Sequence, residues 1–363
     1  MRILYDGAIY QWQTTGGINR YFTNIISRLP PDFSPVLTTV KKRGIVFPKH
    51  PRLKILGFER FRPQRLSLEL EKLYLGRKVG KQGFDLAHPT YYTLLSQAPV
   101  TRKTEPLVVT FWDMIHDLFP ELDPSGHVVA MKQKAVAAAD AIICISENTR
   151  NDLIERYRVS ESKIVVTPLA SELDLSRAQG DQPVPSRPYF LYVGSRQGYK
   201  NFKVLLPAFA RLAAGRTEPI LCLVGPALNA DEEKEISQLG LSSRVENYGA
   251  VDDDHLAKLY HRSIAFIYPS LYEGFGLPPL EAMSCGAVVI ASNRASLPEV
   301  VGDAGLLFDP ESAGKLAELM CYVVEHPEDR ESFIAKGLER SRAFSWDQTA
   351  SQTVALYRSL SGR

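Results

Sequence analysis

The sequence predicts an α/β protein made of two Rossmann-like, doubly wound domains facing a central cleft. Three observations carry this prediction. Short apolar runs alternate with longer helical patterns from end to end, the signature of parallel strands covered by helices. The 363 residues, 45% hydrophobic and 23% charged, have ordinary globular composition but exceed what one core comfortably holds. After Ala170 the alternation lapses into SELDLSRAQGDQPVPSRP, rich in Pro, Ser and charge, which reads as an interdomain linker ending at Pro188. The expected organisation is a first domain over residues 1–175, a second over 186–345, and a C-terminal helix over 346–363 returning to the first.

In the first half the expected strands are Arg2 to Tyr5, Val36 to Thr39, Leu86 to His88, Leu107 to Phe111, Ala141 to Ile145 and Ile164 to Thr167. Helical patterns separate them at Ile18 to Leu29, Leu66 to Lys81, Gly126 to Ala139 and Glu147 to Tyr157. A second βα series follows the linker: Tyr189 to Val193, Ile220 to Val224, Val245 to Tyr248, Ala265 to Tyr268, Val288 to Ala291 and Gly305 to Phe308. Its strands end in Gly, Pro or Ser before a helix begins. That carboxyl edge is where open α/β sheets bind ligands, because loops and helix N-termini gather there.

Cys144, Cys222, Cys285 and Cys321 are far apart and form no C-x-x-C pair, so a reducing compartment and no structural zinc are expected. MRILYDG runs directly into a strand pattern, and no apolar run approaches the roughly 20 residues that span a bilayer. The expectation is a cytoplasmic protein, soluble or peripheral at the inner face of the membrane.

The net charge of +2 conceals an asymmetry: residues 1–180 hold 25 Lys and Arg against 18 Asp and Glu, and the remainder 18 against 23. Most of the excess lies in residues 41–82, with 13 basic and 3 acidic side chains. This stretch is either a solvated face or a surface drawn to an anionic membrane or phosphorylated acceptor. The interleaved Phe58, Phe61 and Tyr74 would suit nucleic acid, but no nucleic-acid fold signature accompanies them, so no such partner is expected.

The strongest local signal is YPSLYEGFGLPPLEAMSCGAVVIASN, where a strand ends at Pro269, a glycine-rich turn follows and Pro278 and Pro279 open a helix. Gly274 and Gly276 lack Cβ, so their backbone approaches a ligand closely while amides at the helix start face an anion. Glu273 and Glu281, eight positions apart, are placed to address a sugar and a ribose. This segment resembles the donor loop of the retaining glycosyltransferases of family 4, the mannosyltransferase-like group 1 enzymes with the GT-B fold, and the resemblance extends over nearly the whole chain. It implies that Glu273 contacts donor-sugar hydroxyls, that Gly274, Phe275, Gly276 and Leu277 meet sugar and phosphate, and that Glu281 holds the ribose.

Upstream, YFLYVGSRQGYKNF resembles the family's Gly-x-Arg-x3-Lys phosphate site and implies that Gly194, Arg196 and Lys200 hold the diphosphate. GGINRYFTNIISRL resembles the family's glycine-rich loop, in which Gly16 and Gly17 open the first helix and Arg20 could assist. VENYGAVDDDHLAKLY resembles the wall that holds the nucleotide base, with Tyr248, Gly249 and Val251 beside it. Asp252 to Asp254 read as an N-cap and dipole partner, and no metal is expected.

TFWDMIHDLFPE departs from the family pattern. Members commonly place His-Asp eight residues before the Pro of Pro-Glu, and counted back from Pro120 that position holds Trp112, followed by the candidate catalytic Asp113. His116 and Asp117 form a second His-Asp pair one turn later. Either the loop shifts to use His116, or Trp112 reshapes the sugar pocket. The second is expected, because the Pro-Glu anchor fits without a gap, and it predicts a deoxysugar or pentose donor.

The resemblance implies a nucleotide-diphosphate-sugar donor, GDP-mannose-like or another hexose or deoxysugar, no other cofactor, retention without an essential metal, and a glycan or lipid-linked glycan acceptor. A GT-B sugar-nucleotide epimerase and a noncatalytic nucleotide-sugar-binding protein are the alternatives.

Overall fold

The computed structural model describes residues 1–13, 16–80, 83–101, 104–196, 198–216 and 218–362. Lys81 and Gln82, the end of the basic stretch, lie outside the described residues. The chain divides into two compact units, Met1–Leu169 together with the chain from Trp346 onward, and Ala170–Ser345.

The first unit holds β1 (Arg2–Asp6), β2 (Ser34–Val40), β3 (Lys54–Phe58), β4 (Leu86–Ala87), β5 (Val108–Phe111), β6 (Ala141–Cys144) and β7 (Ile164–Val166). The order β3-β2-β1-β4 continues through a parallel bridge, Ala87 to Leu107, into β5-β6-β7. Every ladder is parallel. The expected strands are present. β3 is an addition: it lies at the sheet edge with Lys54 and Ile55 exposed, so its sequence lacks the apolar run of a central strand.

Helix Trp346–Leu360 packs on helix Gly17–Ser27 of the same unit, and a buried polar cluster seats it. One ring nitrogen of His88 meets the Tyr357 hydroxyl at 2.6 Å, the other meets Thr110 Oγ1 at 2.8 Å, and Tyr5 donates to Tyr357 at 3.2 Å. Burial lowers the His88 pKa from 6.5 to about 3. The unfolded chain therefore takes up a proton below pH 6.5 that the folded unit refuses until about pH 3. Stability falls across that window as pH drops, by about 1.4 kcal/mol per pH unit from this group. Hydrogen-exchange protection factors in Trp346–Leu360, which correct for the intrinsic pH dependence of exchange, are expected to fall on acidification from pH 6.5, and His88→Gln to flatten that dependence. An unchanged slope in the variant would remove His88 as its source.

The second unit holds β8 (Tyr189–Val193), β9 (Ile220–Val224), β10 (Val245–Asn247), β11 (Ala265–Tyr268), β12 (Val289–Ser292) and β13 (Leu306–Phe308). Their order is β10-β9-β8-β11-β12-β13, wholly parallel, so the winding reverses between β8 and β11. Helices Phe202–Gly215 and Ala313–Glu325 bury one face with Leu205, Leu206, Phe209, Leu316 and Met320.

The predicted linker is no free tether. Leu173 and Ala178 are buried, Lys258 donates to the Gly180 carbonyl at 2.5 Å, and Arg177 pairs with Asp254 at 2.9 Å, which lays the segment along helix Asp253–Arg262 of the second unit. Its few apolar side chains suffice because helix Asp253–Arg262 supplies partners for its polar groups.

Candidate active site

The reversal between β8 and β11 opens the crevice at which doubly wound sheets receive ligands, and both strands lead into predicted site residues. Lys200 ends a 3-10 turn, Gly198–Lys200, after β8, and Glu273 follows β11. The Lys200 ammonium donates to Glu273 Oε1 at 2.7 Å and to the Tyr268 hydroxyl at 3.0 Å. Both charged side chains are nearly enclosed, at 15% and 11% exposure. Burial acts most strongly and against the lysine's charge, but Glu273 together with Tyr268 and Tyr199 outweighs it and holds the pKa well above the ordinary value. The pair is a fixed dipole whose cation stays protonated through neutral pH.

Two side chains absent from the sequence reading hold this corner. Asn201, in the left-handed region at φ 55°, donates through Nδ2 to the Pro269 and Pro310 carbonyls at 3.1 and 2.8 Å. Buried Ser296, in the loop after β12, has its Oγ 2.8 Å from the Glu273 carbonyl and 2.6 Å from that of Phe275, both acceptors. A serine before a Leu-Pro helix start reads as an N-cap, so its tie to a loop more than 20 residues upstream has no local signature.

The glycine-rich turn ends at Gly276, with φ 113°, where a Cβ would stand 2.9 Å from Leu297 Cδ2. Helix Leu277–Ser284 follows, with Glu281 buried in its second turn and Phe275 edge-on to Phe344 at 5.7 Å. Pro278 and Pro279 have no N–H, so Leu277 supplies the only amide among the first three helical residues. An anion here must therefore rely on the turn and on cations more than on the helix start.

Arg196 supplies such a cation from the loop after β8. Its Nε donates to Glu232 Oε1 at 2.8 Å, and Nη2 donates to the Pro226 and Ala227 carbonyls at 2.9 and 2.7 Å. Nη1 is buried without a partner, one donor of a planar fork held in place and unused. Glu232, also outside the sequence reading, belongs to a capping box: its Oε2 accepts from Asn229 N–H, while the Asn229 side chain accepts from Glu232 N–H. One carboxylate thus caps helix Ala230–Gln238 and mounts Arg196. Gly194, at φ 128°, donates to the Val224 carbonyl at 2.9 Å, and a Cβ on Gly225 would stand 2.3 Å from the Gly194 carbonyl oxygen. The two loops touch backbone to backbone because Gly225 carries no side chain.

Tyr248 follows β10, half-buried with its ring edge-on to His255 at 5.9 Å, and Gly249 accepts from Gly225 N–H at 3.0 Å. Asp252 caps helix Asp253–Arg262 by accepting from His255 N–H, and Asp254 pairs with Arg177. Among the described residues, no group of three or more His, Cys, Asp and Glu side chains is gathered to hold a metal.

The remaining predicted residues lie in the first unit. Gly16 precedes helix Gly17–Ser27, and the Cβ position of Gly17 faces open space. Trp112 is 6% exposed, edge-on to Tyr21 at 5.1 Å and Phe22 at 6.1 Å, with Nε1 buried and unpartnered. Its indole packs the core beneath the glycine-rich loop's helix. Asp113 accepts from Ile115 N–H at 2.9 Å and from buried Lys132, which also pairs with Asp117 at 3.0 Å, so this carboxylate fixes its loop. His116 is half-buried, its Nδ1 without a partner.

Residues 178–340 match the family described as Glycosyl transferases group 1, and residues 15–174 match Glycosyltransferase Family 4. The O-antigen chain mannosyltransferase B of Escherichia coli is 33% identical over 273 residues, 71% of each chain. The MMP alpha-(1->4)-mannosyltransferase of Mycolicibacterium hassiacum is 28% identical over 77% of this chain and 66% of its own. Among solved structures, sucrose-phosphate synthase from Thermosynechococcus elongatus superposes with a TM-score of 0.79 at 22% identity, covering 99% of this chain and 98% of that one. Anabaena HepE in complex with UDP-glucose gives 0.71 at 18% identity, covering 99% of each. These likenesses establish the GT-B fold.

Proposed function

Because the chain belongs to glycosyltransferase family 4, we propose that this glycosyltransferase moves mannose from a nucleotide-diphosphate donor to a lipid-linked glycan, with retention and without a metal. The observation that carries the reading is the Lys200–Glu273 pair, 2.7 Å apart across the reversal between β8 and β11. There a carboxylate able to accept from sugar hydroxyls stands beside a cation able to meet a leaving phosphate. The two mannosyltransferase relatives support mannose over the deoxysugar or pentose expected from Trp112.

In this reaction the bond between the sugar C1 and the diphosphate oxygen breaks, and the acceptor oxygen bonds C1 on the same face. The departing phosphate takes the acceptor's proton. Lys200 and Arg196, whose buried Nη1 has no partner, stabilise charge on the diphosphate as it develops, an electrostatic contribution needing no side-chain nucleophile. Glu273, held by Lys200 and Ser296, orients the sugar, and Glu281 takes the ribose.

A membrane-bound acceptor fits the outer face of helix Gln64–Gly80. Leu66, Leu70, Leu73 and Tyr74 form an exposed apolar stripe at helical spacing, flanked by exposed Arg65, Lys72, Arg77 and Lys78. Among the described residues, no helix is long and apolar enough to cross a membrane. Incubation with GDP-mannose and a polyprenyl-linked oligosaccharide is expected to yield one new α-mannosidic linkage by NMR. An isomerised donor with no glycoside, or a β-linked product, would overturn the reading.

A further inference from the structure

The sheet of the first unit is incompletely covered on one face. Leu4, Ala87 and Leu107 stand side by side across β1, β4 and the start of β5, an apolar floor of the kind parallel sheets normally bury beneath helices. Helix Gln64–Gly80 covers this face, and it does so unevenly. At its middle, Glu71 is buried at one end of a cavity and clasped by Arg60, which also reaches Gln11 Oε1 at 2.7 Å. Toward its C-terminal end, Leu75, Gly76 and Val79 wall this cavity, of about 750 Å³, over that floor, and the loop from Leu94 to Val100 closes it on another side.

Protein interiors are close-packed, and a space this size lies within the 300–1,000 Å³ typical of ligand pockets. The helix makes room for it. Gly76 and Gly80 both line the cavity, and a Cβ on either would meet nothing within 4 Å. Gly76, inside the helix, costs about 1 kcal/mol of helix stability relative to alanine and no neighbouring atom requires it, whereas Gly80 ends the helix, a usual place for glycine. Both are exposed at the mouth of the cavity, so a large side chain at either position has room to enter it.

We infer that the cavity holds the hydrocarbon chain of the acceptor's lipid carrier, an inference that rests on the lipid-linked acceptor proposed above. Leucine, valine and alanine form the floor and most of the sides and suit an unbranched or isoprenoid chain, while of the carboxylates that also line the space Asp6 accepts from Leu95 N–H and Glu71 is held by Arg60, and Glu105 stands at its edge. Lys72, exposed at the rim and paired with Glu69 at 2.8 Å, is the lining cation that would meet the anionic phosphate such a chain carries. The helix's other face bears the apolar and basic stripe suited to an anionic bilayer, so one element faces both the reservoir of such chains and the space that receives one.

Dansyl-undecanoic acid below its micelle concentration, without vesicles, probes the cavity apart from membrane docking. The full-length protein is expected to bind it saturably at one site, with displacement by farnesyl phosphate. Gly76→Phe should weaken binding by about tenfold or more by filling the space. The nucleotide-induced thermal shift should be unchanged in a folded variant. If Gly76→Phe does not fold, Gly80→Phe serves the same purpose. Leu70→Glu with Leu73→Glu should abolish sedimentation with phosphatidylglycerol vesicles yet leave probe binding intact. Failure to bind the probe, or equal affinity in the filled variants, overturns the cavity assignment. Displacement by palmitate but not farnesyl phosphate overturns the lipid-carrier assignment. Probe binding by an enzyme that transfers only to soluble glycans would refute the acceptor reading and leave the cavity standing.

Discussion

Lys200→Met is expected to lower kcat/KM by about 10²- to 10³-fold, the usual cost of deleting one preorganised group that stabilises transition-state charge. The variant also leaves Glu273 buried beside Tyr268 without its cation. Removing one partner of a buried pair costs about 3–5 kcal/mol, and the slight exposure of both side chains places this pair toward the lower end. Glu273→Gln preserves the shape but removes the charge that offsets the burial of Lys200. Its deficit and that of Lys200→Met should be markedly less than additive in the double variant, because each already breaks the same contact. Steady-state kinetics on the four proteins of this cycle check the prediction. Strict additivity would show that the two residues act separately.

The second large effect is expected at Arg196. Its guanidinium makes three hydrogen bonds to Glu232 and two carbonyls while the buried Nη1 is left unpaired, a geometry that an ammonium cannot reproduce. Arg196→Lys should therefore lose nearly as much kcat as Arg196→Ala, about 10²-fold. Glu232→Gln keeps the arginine but loosens its mount, and a smaller loss is expected. Added guanidinium separates the two roles: it should partly restore Arg196→Ala and leave Glu232→Gln unchanged. Equal rescue of both would show that Glu232 does not act by positioning Arg196.

These residues differ in how far the sequence disclosed them. Glu273, Gly276, Arg196 and Lys200 sit in strand-turn-helix contexts whose local chemistry is visible in a dozen residues, and the fold brings Glu273 and Lys200 into contact. Ser296 and Glu232 were illegible because each looks like an ordinary helix-start residue, and its other role depends on a loop distant in the chain. Strands with buried neighbours on both sides were clear in the pattern. β3 was missed because an edge strand need not be apolar. Trp112 shows a different limit: an aromatic residue just beyond a strand suits a sugar pocket or a core equally well, and only its contacts with Tyr21 and Phe22 reveal the packing. The cavity beneath helix Gln64–Gly80 had no sequence signature, since glycines at 76 and 80 in a basic helix read as weak points rather than as space.

In the proposed reaction the crevice between β8 and β11 binds a nucleoside diphosphate through Arg196 and Lys200. Thermal unfolding with GDP and UDP tests it most directly. At about 100 times its dissociation constant, the cognate nucleotide should stabilise the wild-type protein by roughly 2.7 kcal/mol. At that same concentration most of this stabilisation should be lost in Arg196→Ala and in Lys200→Met. Stabilisation of equal size in both variants, or none by either nucleotide in the wild type, would contradict the account.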